Sequence, residues 1–317
     1  MTAWNFNKGL HDLGGGVYAY LQPDGGWGWS NAGLIVDGEA SLLVDTLFDM
    51  PLTREMLATM QDATGLAGED IGTIVNTHAN GDHTFGNACC PHAEIVASHA
   101  SAHEMAEFGA HDLARMMREA PHMGEMGKYL IDIFGPFDFA GVEERAPTQT
   151  FSGEMTIRVG DKQVNLVEVG PAHTAGDVLV HVPSDSTVFT GDILFIGGTP
   201  IIWAGPVENW IKACDKIIEM GAEKIVPGHG PITDAAGVRK VQEYLTYINT
   251  EVRKRYDAGL SVRDATHDIV LGEFASWGDS ERLAVNVDTL YREYAGKLHE
   301  APDVPALFAL MAELYRK

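Results

Sequence analysis

The chain has 317 residues, with 22 Lys and Arg against 45 Asp and Glu, a formal charge of −23 with neutral histidines. So acidic a surface is repelled by phosphate backbones and anionic headgroups, so nucleic acid and membrane surfaces are not expected partners. With 45% hydrophobic residues and no apolar run near the roughly 20 residues of a span, the composition is that of an ordinary globular protein with a large core. The N-terminal residues carry no basic segment followed by an apolar one, so no secretory signal is visible and the cytoplasm is the expected compartment. Three cysteines, Cys89, Cys90 and Cys214, are too few and too unevenly spaced for a disulfide framework and read as small buried hydrophobes.

In chain order, three short strands are predicted at 16–21, 31–36 and 40–45, with Asp37-Gly38 as the hairpin turn between the last two. A helix follows at 51–65, then a buried strand over 71–77 that delivers His78 at its end, then a strand at 94–97. Residues 98–147 read as a helical insertion rich in methionine (Met105, Met116, Met117, Met123, Met126), either an adaptable apolar wall or plain helix core. The second half repeats the grammar of the first. Strands at 178–182 and 187–192 flank a turn at 183–186, and Asp192 closes this hairpin much as Asp45 closes the earlier one. A helix at 206–220, a strand at 224–226 and an amphipathic helix at 235–258 complete this half; Val238, Val241, Leu245, Ile248 and Val252 recur at helical spacing. Helices at 281–294 and 304–315 lie in a C-terminal extension, 260–317, expected to pack on the core or on a partner subunit, where a homodimer contact would be sought. No low-complexity linker divides the chain, so residues 1–259 are taken as one domain carrying the extension. Two hairpin halves that each feed helices suggest two mixed sheets packed face to face with helices outside.

The chemistry concentrates where strands meet Gly-rich turns: His78-Ala-Asn80-Gly-Asp82-His83, His173 in Ala-His-Thr-Ala-Gly-Asp, Asp192 in Thr-Gly-Asp, and His229 in Pro-Gly-His-Gly. A ligand at a strand end is held rigidly while the loop leaves room for a metal and a substrate. Imidazole with carboxylate suits zinc, iron or manganese, and no cysteine falls in the motifs. In an extended segment His78 and Asn80 project the same way, while Asp82 and His83 follow a glycine that can turn the chain. One segment can therefore serve two adjacent metals.

This pattern resembles the metallo-β-lactamase superfamily, whose motif is His-x-His-x-Asp-His followed by a distant His, an Asp and a last His. The resemblance implies an αββα sandwich of two mixed sheets with metals at one edge. His78, Asn80 and His173 would hold the first metal, Asp82, His83 and His229 the second, and Asp192 would bridge. It also implies attack of a metal-held hydroxide on a carbonyl carbon, with Asp82 and His83 catalytic and Asp82 orienting the water. Asn80 departs from the motif by offering a neutral oxygen where the family has an imidazole, which weakens the first site for zinc. Three readings are open: Asn80 ligates through its oxygen, the first site fills only with substrate, or the centre is mononuclear at the second site.

Asp45 and Thr77 are candidates for supporting the ligands through hydrogen bonds. His99 and His103, four apart on a predicted helix, read as surface or cleft histidines. Trp27, Trp29, Phe85, Phe195, Ile201, Ile202 and Trp203 are candidates for the wall of an apolar substrate cavity, and no Lys or Arg cluster accompanies the motifs. The expected activity is hydrolysis of a lactone, ester or thioester of a hydrophobic small molecule with one or two Zn2+ ions, iron or manganese being alternatives. The other readings are an iron-dependent sulfur dioxygenase, a polyketide cyclase or thioesterase of the same fold, and a non-catalytic binder of an aromatic ligand.

Overall fold

The computed structural model describes residues 4–315. Alternation along the strands decides the architecture. In β3 (Ala32–Asp37) and β4 (Ala40–Val44), Ile35, Leu42 and Val44 point to one face and Leu34 and Leu43 to the other, and all five are buried, so both faces of their sheet must be covered.

That sheet has seven strands, in the order β1 (Gly9–Asp12), β2 (Val17–Leu21), β3, β4, β5 (Thr73–Val75), β6 (Glu94–Ser98) and β7 (Gln149–Phe151). It is antiparallel through β4 and parallel from there. The second sheet runs β12 (Lys224–Val226), β11 (Thr187–Phe189), β10 (Val178–Val182), β9 (Lys162–Glu168), β8 (Glu154–Val159); only β11 and β12 are parallel.

Between the sheets Val17, Ile35, Val44, Val75 and Val96 meet Val164, Leu166, Val180, Phe189 and Val226 in one apolar cluster. Outside the first sheet, Met56, Leu57 and Met60 of α1 (Met50–Thr64) cover Leu34, Leu43, Ile74 and Ile95. Outside the second, Leu179, Val188 and Ile225 lie under α6 (Val207–Glu219) and α7 (Ala235–Asp257), with the fully buried Trp210 and Tyr244 among the largest side chains there. Burying one such side chain contributes about 1.5–3 kcal/mol. The result is the four-layer αββα sandwich of two mixed sheets.

The stretch after β6 forms α3 (His99–Met105), α4 (Ala110–Glu119) and α5 (Gly124–Phe134), whose Met116, Met117, Met123 and Met126 are half-buried against the outer core. Beyond α7, the helices α8 (Val262–Asp268), α9 (Leu283–Tyr294) and α10 (Val304–Tyr315) join that core through Ala265, Val285, Leu290, Leu307 and Met311. The hairpin of β8 and β9 and the strand β7 were not read from the sequence; nor was β1. Cys89, Cys90 and Cys214 are free thiols, the last two fully buried. His99 is exposed, and His103 is exposed and pairs with Glu107, away from any metal cluster. Among the described residues no helix is long and apolar enough to cross a membrane.

Candidate metal centre

The site lies at one edge of the sandwich, where the C-terminal end of a strand in each sheet is stitched to the start of a strand in the other. Thr77, two residues after β5, accepts from Val178 N of β10 (2.8 Å), and Asn31 N, just before β3, donates to Gly228 O after β12 (2.7 Å). Gly191 and Gly228 allow this closeness. A Cβ on Gly191, which has φ of 49°, would lie 2.4 Å from Thr77 Oγ1, and one on Gly228 would lie 1.9 Å from Asp192 Oδ1.

All seven motif residues converge. Asp192 is central: its Oδ1 is 3.1 Å from His83 Nε2, and its Oδ2 is 3.3 Å from His229 Nε2, 3.4 Å from His173 Nε2 and 3.8 Å from His78 Nε2. Asp82 Oδ2 stands 3.3 Å from His229 Nε2 and 3.7 Å from His83 Nε2. Asp82 and His83 come from the single turn α2 (Gly81–Thr84), with Asn80 as its N-cap residue. Asparagine at that position usually bonds its own helix, but Asn80 makes no cap bond; its Oδ1 lies 3.1 Å from His173 Nε2.

Each ring is held from behind by its Nδ1. His173 Nδ1 donates to Ile201 O (2.7 Å) and His229 Nδ1 to Trp29 O (3.1 Å); these carbonyls only accept, so each Nδ1 carries the hydrogen. His83 Nδ1 donates to Asp45 Oδ2 (2.9 Å). Thr77 Oγ1 gives its hydrogen to the same oxygen (2.8 Å) and accepts from His78 Nδ1 (3.0 Å). Asp45 thereby orients two histidines. Its other oxygen accepts from Thr77 N (2.7 Å), and its backbone is left-handed with φ of 62°, a conformation that aspartate tolerates.

In its neutral form each of the four rings therefore carries its hydrogen on Nδ1 and turns a bare Nε2 toward the facing oxygens. His78 Nε2, His83 Nε2 and Asp192 Oδ1 are buried and have no hydrogen-bond partner, an arrangement costly in a protein interior unless a cation sits among them. Two buried groups have ligand atoms all within 4.8 Å of one another: His78, His83 and Asp192, and Asp82, His83 and His229. The donor set of imidazoles and carboxylates fits a divalent transition ion.

The electrostatics agree. Burial opposes the charged form throughout. For His78 it prevails and sets the pKa well below the ordinary value, and it lowers His173 likewise. In His83 and His229 burial is outweighed, chiefly by Asp192 with Asp82, so His83 is held well above the usual range and His229 is raised to about 9. Asp82 and Asp192 stay below the carboxylate range because the histidines outweigh their burial. Positive charge is favoured at the centre.

Several supports carry no motif. Asn31 Nδ2 donates to Pro227 O (2.9 Å) and Gly230 O (2.8 Å), clamping the loop that carries His229, and Ser30 Oγ donates to Asp82 O (2.5 Å). His83 O accepts from Thr46 N and Asn76 Nδ2, both at 2.9 Å. Of the apolar candidates, Phe195 stacks on His229 with ring centroids 5.1 Å apart, and Trp203 N binds His173 O (3.0 Å). Phe85 instead packs against Phe48 in the core, and Trp27 donates to the buried Glu281 (2.8 Å). One arginine does reach this region. Arg282 lies over the rings of Phe195 and Trp27, with its guanidinium engaged by Thr199 O and Asp279.

The family model described as the metallo-beta-lactamase superfamily matches residues 25–229. Beta-lactamase-like protein 2 homolog of Caenorhabditis elegans is 23% identical over 69% of this chain and 61% of its own length, and its Drosophila melanogaster counterpart is 24% identical over 69% and 64%. The match thus spans less than two thirds of either relative. Metallo-beta-lactamase domain-containing protein 1 of Xenopus laevis is 27% identical over 69% of this chain and 75% of its own. Among solved structures, a metallo-beta-lactamase from Pontibacter korlensis superposes with a TM-score of 0.56 at 18% identity over 76% of this chain and 99% of that one. The sec-alkylsulfatase Pisa1 from Pseudomonas sp. reaches 0.66 at 14% identity over 91% of this chain and 50% of that one. The chain belongs to the metallo-beta-lactamase superfamily.

Proposed function

We propose that this chain is a metal-dependent hydrolase that opens a carbonyl-based bond, of a lactone, ester or thioester, in a hydrophobic small molecule. The observation that carries the reading is the set of four histidines tied at Nδ1 with every Nε2 turned toward Asp192. His78, Asn80 and His173 would hold one ion, Asp82, His83 and His229 another, with Asp192 between them. A divalent ion there supplies Lewis acidity toward the substrate oxygen and acidifies water. Asn80 Oδ1, turned from its own helix toward His173, supports ligation through oxygen among the three readings of this residue.

The protein's own groups do the rest. Asp82, kept ionised at neutral pH by His83 and His229, would orient the attacking water by accepting its hydrogen bond. The Asp45–Thr77 pair keeps His78 and His83 from turning as charge develops. Phe195 against His229, with the half-buried Trp29 and Trp203, supports an apolar acyl or alcohol group. Free thiols in the core support a reducing compartment, and we place the protein in the cytoplasm.

The test is a panel of aryl esters, lactones, acyl thioesters, nitrocefin and a secondary alkyl sulfate, assayed with zinc, manganese and iron on the wild type and on Asp82→Ala and His83→Ala. Metal-dependent carbonyl hydrolysis that both substitutions abolish, with the fold retained by circular dichroism, is expected. Hydrolysis surviving in both variants rejects the site; turnover confined to the sulfate ester, or oxygen consumption with an iron-loaded protein, rejects the substrate class.

A further inference from the structure

Three polar side chains on one stripe of α9 grip the segment that orients His173. Arg282, immediately before the helix, donates from Nη1 to Thr199 O (3.0 Å). Asn286 donates from Nδ2 to Pro200 O (2.8 Å) and accepts at Oδ1 from Ile202 N (2.8 Å), and Thr289 Oγ1 donates to Ile202 O (2.7 Å). Positions 282, 286 and 289 follow i, i+4, i+7 spacing, so they share a face. Arg282 is 2% exposed, and Asn286 and Thr289 are fully buried amid Leu283, Ala284, Val285 and Leu290. Polar groups buried at this depth are costly unless paired, and here the backbone of residues 199–202 supplies partners to all three, beside Tyr244 Oη for Asn286 (2.9 Å), Arg292 for Thr289 (3.0 Å) and Asp279 for Arg282 (3.2 Å).

Ile201 lies between the two backbone groups that Asn286 holds, and its carbonyl accepts from His173 Nδ1 (2.7 Å). The same segment returns to bind His173 O from Trp203 N (3.0 Å) and Ala204 N (3.1 Å). The helix lies beyond the residues 25–229 that match the family model.

We infer that Asn286, assisted by Arg282 and Thr289, is a positioning residue for His173: it fixes the Ile201 carbonyl and so keeps the ring with hydrogen on Nδ1 and a bare Nε2 toward Asp192. The C-terminal extension is thus part of the metal centre's support. Only the metal arm of the test rests on the proposed hydrolase reading; the ring's tautomer is read without metal.

The variants are Asn286→Leu and Thr289→Val, with Val287→Ala as a control that removes packing from a fully buried position on the same helix without touching a hydrogen bond to 199–202. Long-range 1H–15N spectra of the metal-free protein are expected to show His173 as a single Nδ1–H tautomer in the wild type and in Val287→Ala, and as a mixture in Asn286→Leu and Thr289→Val. Competition titrations with Co2+ and Zn2+ are expected to show binding about 10- to 100-fold weaker in those two variants, and unchanged in the control at a comparable loss in Tm. A wild-type tautomer and affinity in Asn286→Leu overturn the inference, as does a control that weakens metal to the same extent. Should Asn286→Leu fail to fold, Thr289→Val decides by the same readouts. A wild type that binds neither ion rejects the metal reading, while the tautomer spectra still decide whether α9 positions His173.

Discussion

Replacing Asp45 by asparagine tests the logic of the whole centre. Asparagine keeps the size and tolerates the left-handed backbone at φ of 62°, so no strain is added. One oxygen can still accept from Thr77 N, but an amide nitrogen now stands where Oδ2 accepted from both Thr77 Oγ1 and His83 Nδ1. The amide donates to His83 Nδ1, which drives the neutral ring's hydrogen to Nε2, the atom facing Asp192 Oδ1 at 3.1 Å. That hydrogen makes a tolerable hydrogen bond in the metal-free protein and blocks the ion. Hydrogen bonds to charged groups contribute about 1.5–3 kcal/mol, so part of the lost His83–Asp45 bond is recovered within the metal-free fold. Metal affinity is expected to fall about 10- to 100-fold, equivalent to about 1.4–2.8 kcal/mol, because His78 loses its Thr77 anchor at the same time. The assay pairs chelator competition for Zn2+ with thermal melts of the metal-free protein. A large loss of affinity beside a small loss of Tm is the expected signature; wild-type affinity, or a Tm collapse that alone accounts for weaker binding, would refute the reasoning.

Other consequences follow from single atoms. Asn80→His returns an imidazole to the first metal position, so the metal content of protein purified without added ion should rise toward two per chain by plasma emission; a wild type already holding two, unchanged by the substitution, removes the weakened-site idea. Gly228→Ala drives a methyl group to 1.9 Å from Asp192 Oδ1 and should cost about 1–3 kcal/mol of stability along with metal binding, seen in melts and titrations; normal zinc affinity would show that the loop yields freely. Asp177 is buried and its carboxyl is pushed up to about 8 by that burial, against the opposing hydrogen bonds from Thr174 N and Oγ1. Because the folded state holds this proton more tightly than the unfolded chain, stability of the metal-free protein should decline as pH rises from about 4 to about 8, by on the order of a few kcal/mol, and level off above. Asp177→Asn should flatten that slope in urea melts across the range; an unaltered slope assigns it to other groups.

Most of the sandwich and the whole converging set of side chains were legible in the chain because both are written locally. Residues at strand ends carry their chemistry in short motifs, and buried strands such as 40–44 and 178–182 announce themselves by β-branched and leucine runs. The β8–β9 hairpin is faint in the sequence because its strands are half exposed and polar, although Met155, Ile157 and Val159 alternate with Glu154, Thr156 and Arg158 in plain strand rhythm. Asn80 was visible as a departure from the motif, yet only the fold shows its oxygen leaving the helix it caps to face His173. Proximity in sequence would likewise have grouped Phe85 and Trp27 with the cavity, where tertiary packing gives them to the core and to Glu281.

The amino-acid sequence by itself determined which atoms could meet a metal, since imidazole and carboxylate in those turns have few other common uses. Tertiary structure alone decided which way each ring faces. Two of the four histidines are held by backbone carbonyls, those of Trp29 and Ile201, and every residue has such a carbonyl, so no side-chain pattern marks the ones that serve. Asn286 is remote from every motif for the same reason: a buried amide on a helix face is informative only once the chain has folded the 199–203 segment against it.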